Sequence, residues 1–245
     1  MTAPRIKICG VTLPDDAARV AAAGADFIGL NFWPRSKRYV TLERAPLLAA
    51  AARAAGAVKL VGVFVDATIE QITAACGRVE LDVIQLHGDE RADTCTKLGS
   101  TLYRPIWKAL PIGHSRDLEG LDYWQVDALL LDAPAARVRH ARPDISTELA
   151  ARVRHARPDL GTELAAGRGG AGARFDHQLA RAARERYPTR KFVLAGGLDP
   201  GNVAEAIALV QPWAVDVASG VEAAPGIKDA GKLAAFVAAV RGAAP

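Results

Sequence analysis

Eight short apolar runs, separated by helix-patterned sequence, constrain the fold of this chain more than any other feature. They are Arg5–Cys9, Phe27–Phe32, Leu60–Val65, Val83–His87, Tyr103–Ala109, Ala128–Ala133, Phe192–Gly196 and Ala214–Ser219. Their lengths suit strands, and several are nearly continuous hydrophobics, as parallel strands covered on both faces require. Helical periodicity fills the intervals at Asp15–Ala23, Ile69–Gly77 and Gly201–Val210. Asp15 and Asp199 stand where an N-cap or first-turn acid favours the helix dipole. Such alternation builds βαβ units on a parallel sheet, and eight units argue for closure over an open sheet. The expected fold class is α/β, a single-domain (β/α)8 TIM barrel over residues 1–245, an ordinary length for that architecture.

One connection breaks the rhythm. Strand starts recur every 20 to 33 residues, but 64 residues separate Ala128 from Phe192. The gap holds a tandem repeat of period 15: Ala135–Leu149 reads AARVRHARPDISTEL and Ala150–Leu164 reads AARVRHARPDLGTEL. Two copies are too few for a solenoid. The expectation is a duplicated basic insertion, residues 135–166, between strand six and the helix after it, with a short helix over Thr147–Arg157 ended by Pro158. A surface duplication in a tolerant loop is the simpler reading; a basic flap that steers an anionic substrate is the sharper one.

The formal charge of +4 belongs to that neighbourhood. Between Arg137 and Arg190 stand 12 Arg and 6 acidic residues, which leaves the rest of the chain at −2. The segment has few aromatics for base stacking, which argues against nucleic acid as a partner. Half the residues are hydrophobic and 24% are charged, enough for a large core. Met1–Thr12 holds no apolar stretch of signal-peptide length, and no apolar run approaches the roughly 20 residues of a membrane helix. Cys9, Cys76 and Cys95 are odd in number, scattered, and lack metal-ligand spacing. A cytoplasmic protein with reduced thiols, no membrane association and no metal is the expectation.

In (β/α)8 barrels chemistry occurs at the C-terminal ends of the strands. Strand alternation puts Lys7 and Cys9 on one side, Leu130 with Asp132, Val83 with Gln85 and His87, and Ala214 with Asp216. Cys9 ends strand one and Asp132 ends strand six, so a thiol and a carboxyl are expected to face each other over the mouth. Such a pair can remove a proton from one side of a substrate while donating one to the other. That division requires a thiol lowered toward thiolate and a carboxyl that holds its proton. A cysteine in an apolar strand is also an ordinary small core residue. Asp132, after three leucines, must be paired or exposed to the mouth. Lys7 inside the barrel needs a carboxylate, and Asp216 on the neighbouring strand is the candidate. His87 is expected either to touch substrate or to satisfy the strand end. Gly196-Gly197 after strand seven and Ser219-Gly220 after strand eight suit close approach of backbone N–H groups to a phosphate.

Taken as an ordered set, these motifs resemble the phosphoribosylanthranilate isomerases of tryptophan biosynthesis. The matching stretches are Lys7-Ile8-Cys9-Gly10, Gly24-Ala25-Asp26-Phe27-Ile28-Gly29, Pro34-Arg35-Ser36-Lys37-Arg38-Tyr39-Val40 and Val61-Gly62-Val63-Phe64. Gln85-Leu86-His87-Gly88, Leu130-Leu131-Asp132, Ala195-Gly196-Gly197-Leu198 and Asp216-Val217-Ala218-Ser219-Gly220-Val221-Glu222 complete them. The resemblance spans nearly the whole chain apart from the insertion. It implies a cofactor-independent Amadori rearrangement of N-(5-phosphoribosyl)anthranilate, with Asp132 as general acid and Cys9 as general base. It further implies Arg38 as substrate-binding and Gly196, Gly197, Ser219 and Gly220 as phosphate-binding; His87 and Asp216, from their places at the strand ends, are the further substrate-binding candidates. The partner would be a small phosphorylated substrate, and the protein a monomer. Two stretches depart from the family: Gly169-Gly170-Ala171-Gly172 stands in place of Gly-Gly-Thr-Gly, and Phe175-Asp176-His177 in place of Phe-Asp-Trp. The alternatives are another phosphosugar enzyme on the same barrel, with two carboxylates or a lysine acid in the catalytic positions, or a barrel without activity.

Overall fold

Each of the eight apolar runs overlaps a strand in a computed structural model of the protein that describes residues 3–134 and 175–243. The strands are β1 (Arg5–Cys9), β2 (Phe27–Asn31), β3 (Lys59–Phe64), β4 (Val83–Leu86), β5 (Ile106–Pro111), β6 (Ala128–Asp132), β7 (Phe192–Leu194) and β8 (Ala214–Val217). They pair in chain order, all parallel, and β1 returns to β8, which closes the barrel. The duplicated insertion at 135–166, its expected helix at Thr147–Arg157 and the Gly169–Gly172 stretch lie outside the described residues.

Two expectations shift. The fifth strand starts at Ile106 rather than Tyr103, because Tyr103 takes a left-handed backbone (φ 51) that ends the helix Ala92–Leu102. Between β5 and β6 the described chain forms two 3-10 turns, Ser115–Leu118 and Leu121–Tyr123, instead of a helix. Gly113 and Gly120 weaken helix formation there. The Arg190 side chain donates to the carbonyls of Leu121, Asp122, Trp124 and Val126, replacing the helical N–H partners.

The helices begin where local chemistry favours it. Pro14 opens Pro14–Ala22, with Asp15 and Asp16 in the first turn. Thr68 and Gln71 form a reciprocal capping box at Ile69–Arg78. Asp199 is not itself an N-cap: Asn202 holds that place before Val203–Val210, and Asp199 accepts from the Gly201 N–H at 2.7 Å in the turn leading to it.

Alternation divides the core in two. Ile6, Ile8, Ile28, Leu30, Leu129 and Leu131 face outward and pack beneath the helices. Phe27, Val61, Val63, Val83, Trp107, Leu130 and Val193 fill the barrel. Its floor is aromatic, with the Trp107 ring 4.9 Å from Phe27 and 5.6 Å from Trp213. Three aspartates clasp the same end. Asp26, Asp82 and Asp127, each directly before an even-numbered strand, accept the N–H of Ile6, Leu60 and Ile106, each at 2.8 Å. A floor held by charge-assisted bonds leaves the opposite rim open for chemistry.

Candidate active site

The C-terminal rim begins on β1. Lys7 is wholly buried inside the barrel, and its Nζ meets Asp216 Oδ1 of β8 at 2.9 Å. The pair expected from neighbouring strands is therefore present, and Lys7 lies in direct register with Asp216. Burial would lower the Lys7 pKa, but the carboxylate beside it prevails and holds the ammonium above its ordinary value. Asp216 is 8% exposed, so its carboxylate pairs with Lys7 from below rather than lying open at the rim.

One level up stands Cys9. Gly29 of β2 provides its space: a Cβ there would lie 2.8 Å from Cys9 Sγ and 3.2 Å from Lys7 Nζ. Sulfur and ammonium thus share one notch that only glycine leaves open. Burial pushes the Cys9 thiol above its ordinary pKa, the Lys7 ammonium opposes that, and the Asp216 carboxylate adds to it. Strand spacing locates the cysteine, whereas the cost of desolvating sulfur depends on the packed barrel.

Arg38, from the loop after β2, lies over Gly10, whose positive φ of 71 lets the chain turn beneath the arginine stem. Its guanidinium is gripped by Glu222, with Nε–Oε1 at 2.8 Å and Nη2–Oε2 at 2.6 Å. Glu222 opens a small antiparallel hairpin, β9 (Glu222–Ala224) and β10 (Ile227–Lys228), beyond β8. Lys228 from β10 donates to Glu222 Oε1 at 2.8 Å, to the Cys9 carbonyl at 2.7 Å and to the Ala218 carbonyl at 3.1 Å. Burial alone would raise the Glu222 pKa, but its two cationic partners outweigh it and hold the carboxyl below the usual range. Glu222 and Lys228 are functional neighbours that sequence reasoning missed. Glu222 lay in a recognised stretch, yet only the hairpin brings Lys228 back beneath β1.

Across the rim, three strands from β1, stands Asp132 at the end of β6. Its Oδ1 accepts from the Ala133 N–H at 2.8 Å, and its Oδ2 lies 3.4 Å from His87 Nε2. Both side chains are about one-third exposed, His87 at 35% and Asp132 at 31%, so they line the opening. His87 Nδ1 in turn lies 3.0 Å from Gln85 Nε2.

The glycine turns meet between these groups. Gly196 and Gly197 have φ of 87 and 72, a left-handed conformation that side chains disfavour. A Cβ on Gly196 would come within 2.9 Å of Asp132 Oδ1. Gly220 packs so tightly against the Leu198 carbonyl that no side chain fits. The turns after β7 and β8 therefore adjoin, with Ser219 and Gly197 exposed at the rim. Phe175 is buried beside Gly196, and Asp176 caps the helix His177–Arg186 through the Gln178 N–H at 2.9 Å. Among the described residues no group of His, Cys, Asp and Glu is arranged to hold a metal ion.

Comparison with known proteins agrees with this geometry. The family model for N-(5'-phosphoribosyl)anthranilate (PRA) isomerase matches residues 6–239. The N-(5'-phosphoribosyl)anthranilate isomerase of Bordetella avium is 37% identical over 237 residues, covering 97% of this chain and 95% of that one. The crystal structure of phosphoribosyl anthranilate isomerase from Thermotoga maritima superposes with a TM-score of 0.76 at 35% identity, covering 98% and 99% of the two chains. A structure of a phosphoribosyl anthranilate isomerase in complex with reduced 1-(o-carboxyphenylamino)-1-deoxyribulose 5-phosphate gives a TM-score of 0.74 at 33% identity over 98% of this chain and 99% of that one. With its closed barrel, its thiol and carboxyl at the rim and its paired glycine turns, the chain belongs to the N-(5'-phosphoribosyl)anthranilate isomerase family.

Proposed function

We propose that Asp132 and Cys9 divide the acid and base work of the isomerisation that defines this family. The protein is an isomerase of tryptophan biosynthesis that converts N-(5'-phosphoribosyl)anthranilate to 1-(o-carboxyphenylamino)-1-deoxyribulose 5-phosphate. Asp132 protonates the furanose ring oxygen, the C1–O bond breaks, and the nitrogen lone pair forms the Schiff base. Cys9 removes the C2 proton as thiolate, and the electrons move into the C1–C2 bond to give an enolamine. Loss of the enol O–H proton and protonation of C1 then yield the ketone, so the rearrangement is proton-neutral.

The single observation that carries this reading is the rim itself, which has one thiol on β1, one carboxyl on β6 and the glycine turns of β7 and β8 between them. Lys7 supports the thiolate electrostatically. Arg38 binds the anthranilate carboxylate. Glu222 takes its Nε and Nη2, which leaves Nη1 toward substrate. Gly196, Gly197, Ser219 and Gly220 hold the phosphate through backbone N–H groups and the Ser219 hydroxyl. His87 borders the substrate beside Asp132, and Asp216 acts through Lys7.

The protein works as a monomer in the cytoplasm. Its three cysteines are free thiols, and its exposed large apolar side chains, such as Leu47, Tyr103 and Ile227, lie on separate elements. No helix among the described residues is long and apolar enough to cross a membrane. Sedimentation tests the monomer, and cell fractionation tests the location. The function is tested by following the fluorescence of phosphoribosylanthranilate with purified protein: enzyme-dependent loss at catalytic concentrations is expected, and a rate no faster than buffer contradicts it.

A further inference from the structure

Gln85 raises a question that the isomerisation scheme does not answer. It lies on β4 inside the barrel, fully buried, in register with Val63 of β3 and Trp107 of β5. An apolar residue would pack there without desolvating an amide. Yet the side chain is polar, its Oε1 has no hydrogen-bond partner, and its Nε2 lies 3.0 Å from His87 Nδ1. Among the described residues its amide is thus oriented by one partner, the histidine at the rim. The opposite amide orientation would bring Oε1 to Nδ1 and leave both N–H groups unpaired, against one N–H and the oxygen in the observed one, and an orphaned buried N–H is the less tolerated of the two.

We propose that Gln85 is a positioning residue that fixes the tautomer of His87 and, through it, the environment of the acid Asp132. The amide N–H donates to Nδ1, so the single proton of the neutral imidazole resides on Nε2. That nitrogen faces Asp132 Oδ2 at 3.4 Å. When Asp132 gives its proton to the ring oxygen, the carboxylate left behind has an N–H donor 3.4 Å away, close enough for a small ring rotation to complete the bond. The interaction is stronger after proton transfer than before, so it lowers the barrier rather than tightening substrate binding. Oδ1 is held separately by the Ala133 N–H, which leaves Oδ2 as the oxygen that exchanges the proton. The inference rests on Asp132 being the acid.

Protein labelled with 15N-histidine tests it directly. The chain has five histidines, and a His87→Gln variant identifies the resonance of interest. In the neutral imidazole of the unaltered enzyme, Nε2 is expected to carry the proton and Nδ1 to resonate as an unprotonated nitrogen. A protonated Nδ1 overturns the proposal. Gln85→Glu keeps the shape but removes the donor and demands a proton on Nδ1. It is expected to move the proton signal to Nδ1 and lower kcat roughly ten- to a hundredfold, as loss of an orienting partner does at metal-bound histidines, with KM little changed. A Gln85→Glu enzyme with unaltered kcat also overturns the proposal. Should Asp132→Asn retain activity while the Nε2–H tautomer is present, the acid assignment fails instead, and the Gln85–His87 orientation stands apart from it.

Discussion

Replacing Glu222 with alanine is expected to destabilise the protein and loosen its grip on substrate together. The Lys228 side chain is 0% exposed and that of Glu222 is 5% exposed, so removing the carboxylate leaves a buried ammonium without its counter-charge. Breaking a buried pair this way costs ~3–5 kcal/mol. Lys228 keeps the carbonyls of Cys9 and Ala218 as acceptors, which places the loss near the lower bound, about 3 kcal/mol. For a domain of this size each kcal/mol shifts Tm by ~2–4 °C, so thermal unfolding should move down by roughly 6–12 °C. Arg38 also loses both of its bonds to Glu222, and KM should rise roughly tenfold, equivalent to ~1.4 kcal/mol. The double variant Glu222→Ala/Lys228→Met removes the stranded charge and should recover most of the Tm but not the KM. The pH dependence has a definite sign. The Glu222 carboxyl is held below its unfolded pKa, so its stabilisation is present above that value, about 4.3. It is lost as pH falls through the lower folded value, and the variant should lack this acid-side component. A Tm loss below about 2 °C, or no recovery in the double variant, would refute the buried-charge reasoning.

Other perturbations separate the layers of the molecule. Lys7→Met/Asp216→Asn removes the cation that most opposes the burial-driven rise of the Cys9 thiol, so the ascending limb of kcat/KM should shift to higher pH; an unchanged limb argues against Lys7 acting on the thiol. The folded Lys7 is held above its unfolded pKa, so its stabilisation in the parent protein is present below that value and is lost as pH rises through the folded one. Gly29→Ala puts a methyl 2.8 Å from Cys9 Sγ and should displace it, with turnover falling on the order of 10²-fold and stability by ~1–3 kcal/mol. Asp82→Ala removes a clasp on the barrel floor and should cost ~1–3 kcal/mol in denaturant unfolding while kcat is retained. A loss of kcat there would break the separation of stabilising floor from reactive rim.

The barrel was legible because buried parallel strands write themselves as apolar runs, and all eight runs overlap a strand. Where the reading slipped, the deciding interaction was remote or conformational. Tyr103 looked like strand sequence but ends a helix in a left-handed conformation. The helix expected between β5 and β6 is replaced by turns whose carbonyls are satisfied by Arg190, more than sixty residues away in sequence. In the site, strand alternation found Lys7, Cys9, Asp132 and Asp216, since period two fixes which residues enter the barrel. It did not yield the Arg38–Glu222–Lys228 chain, because a hairpin after the last strand returns to the first. Nor did it give the state of the thiol, whose desolvation is a property of the packed interior. The aspartates at positions 26, 82 and 127 did leave a local signal, an acid directly before each of three even-numbered strands.

In the proposed reaction the carboxyl at the end of β6 delivers the proton that opens the ring. Steady-state kinetics of Asp132→Asn measures this most directly, because the amide preserves shape and removes only the transferable proton. The expected result is a kcat lower by roughly 10²- to 10⁴-fold with KM close to that of the parent enzyme. Turnover equal to the parent's would contradict it, since no proton would then have passed through Asp132.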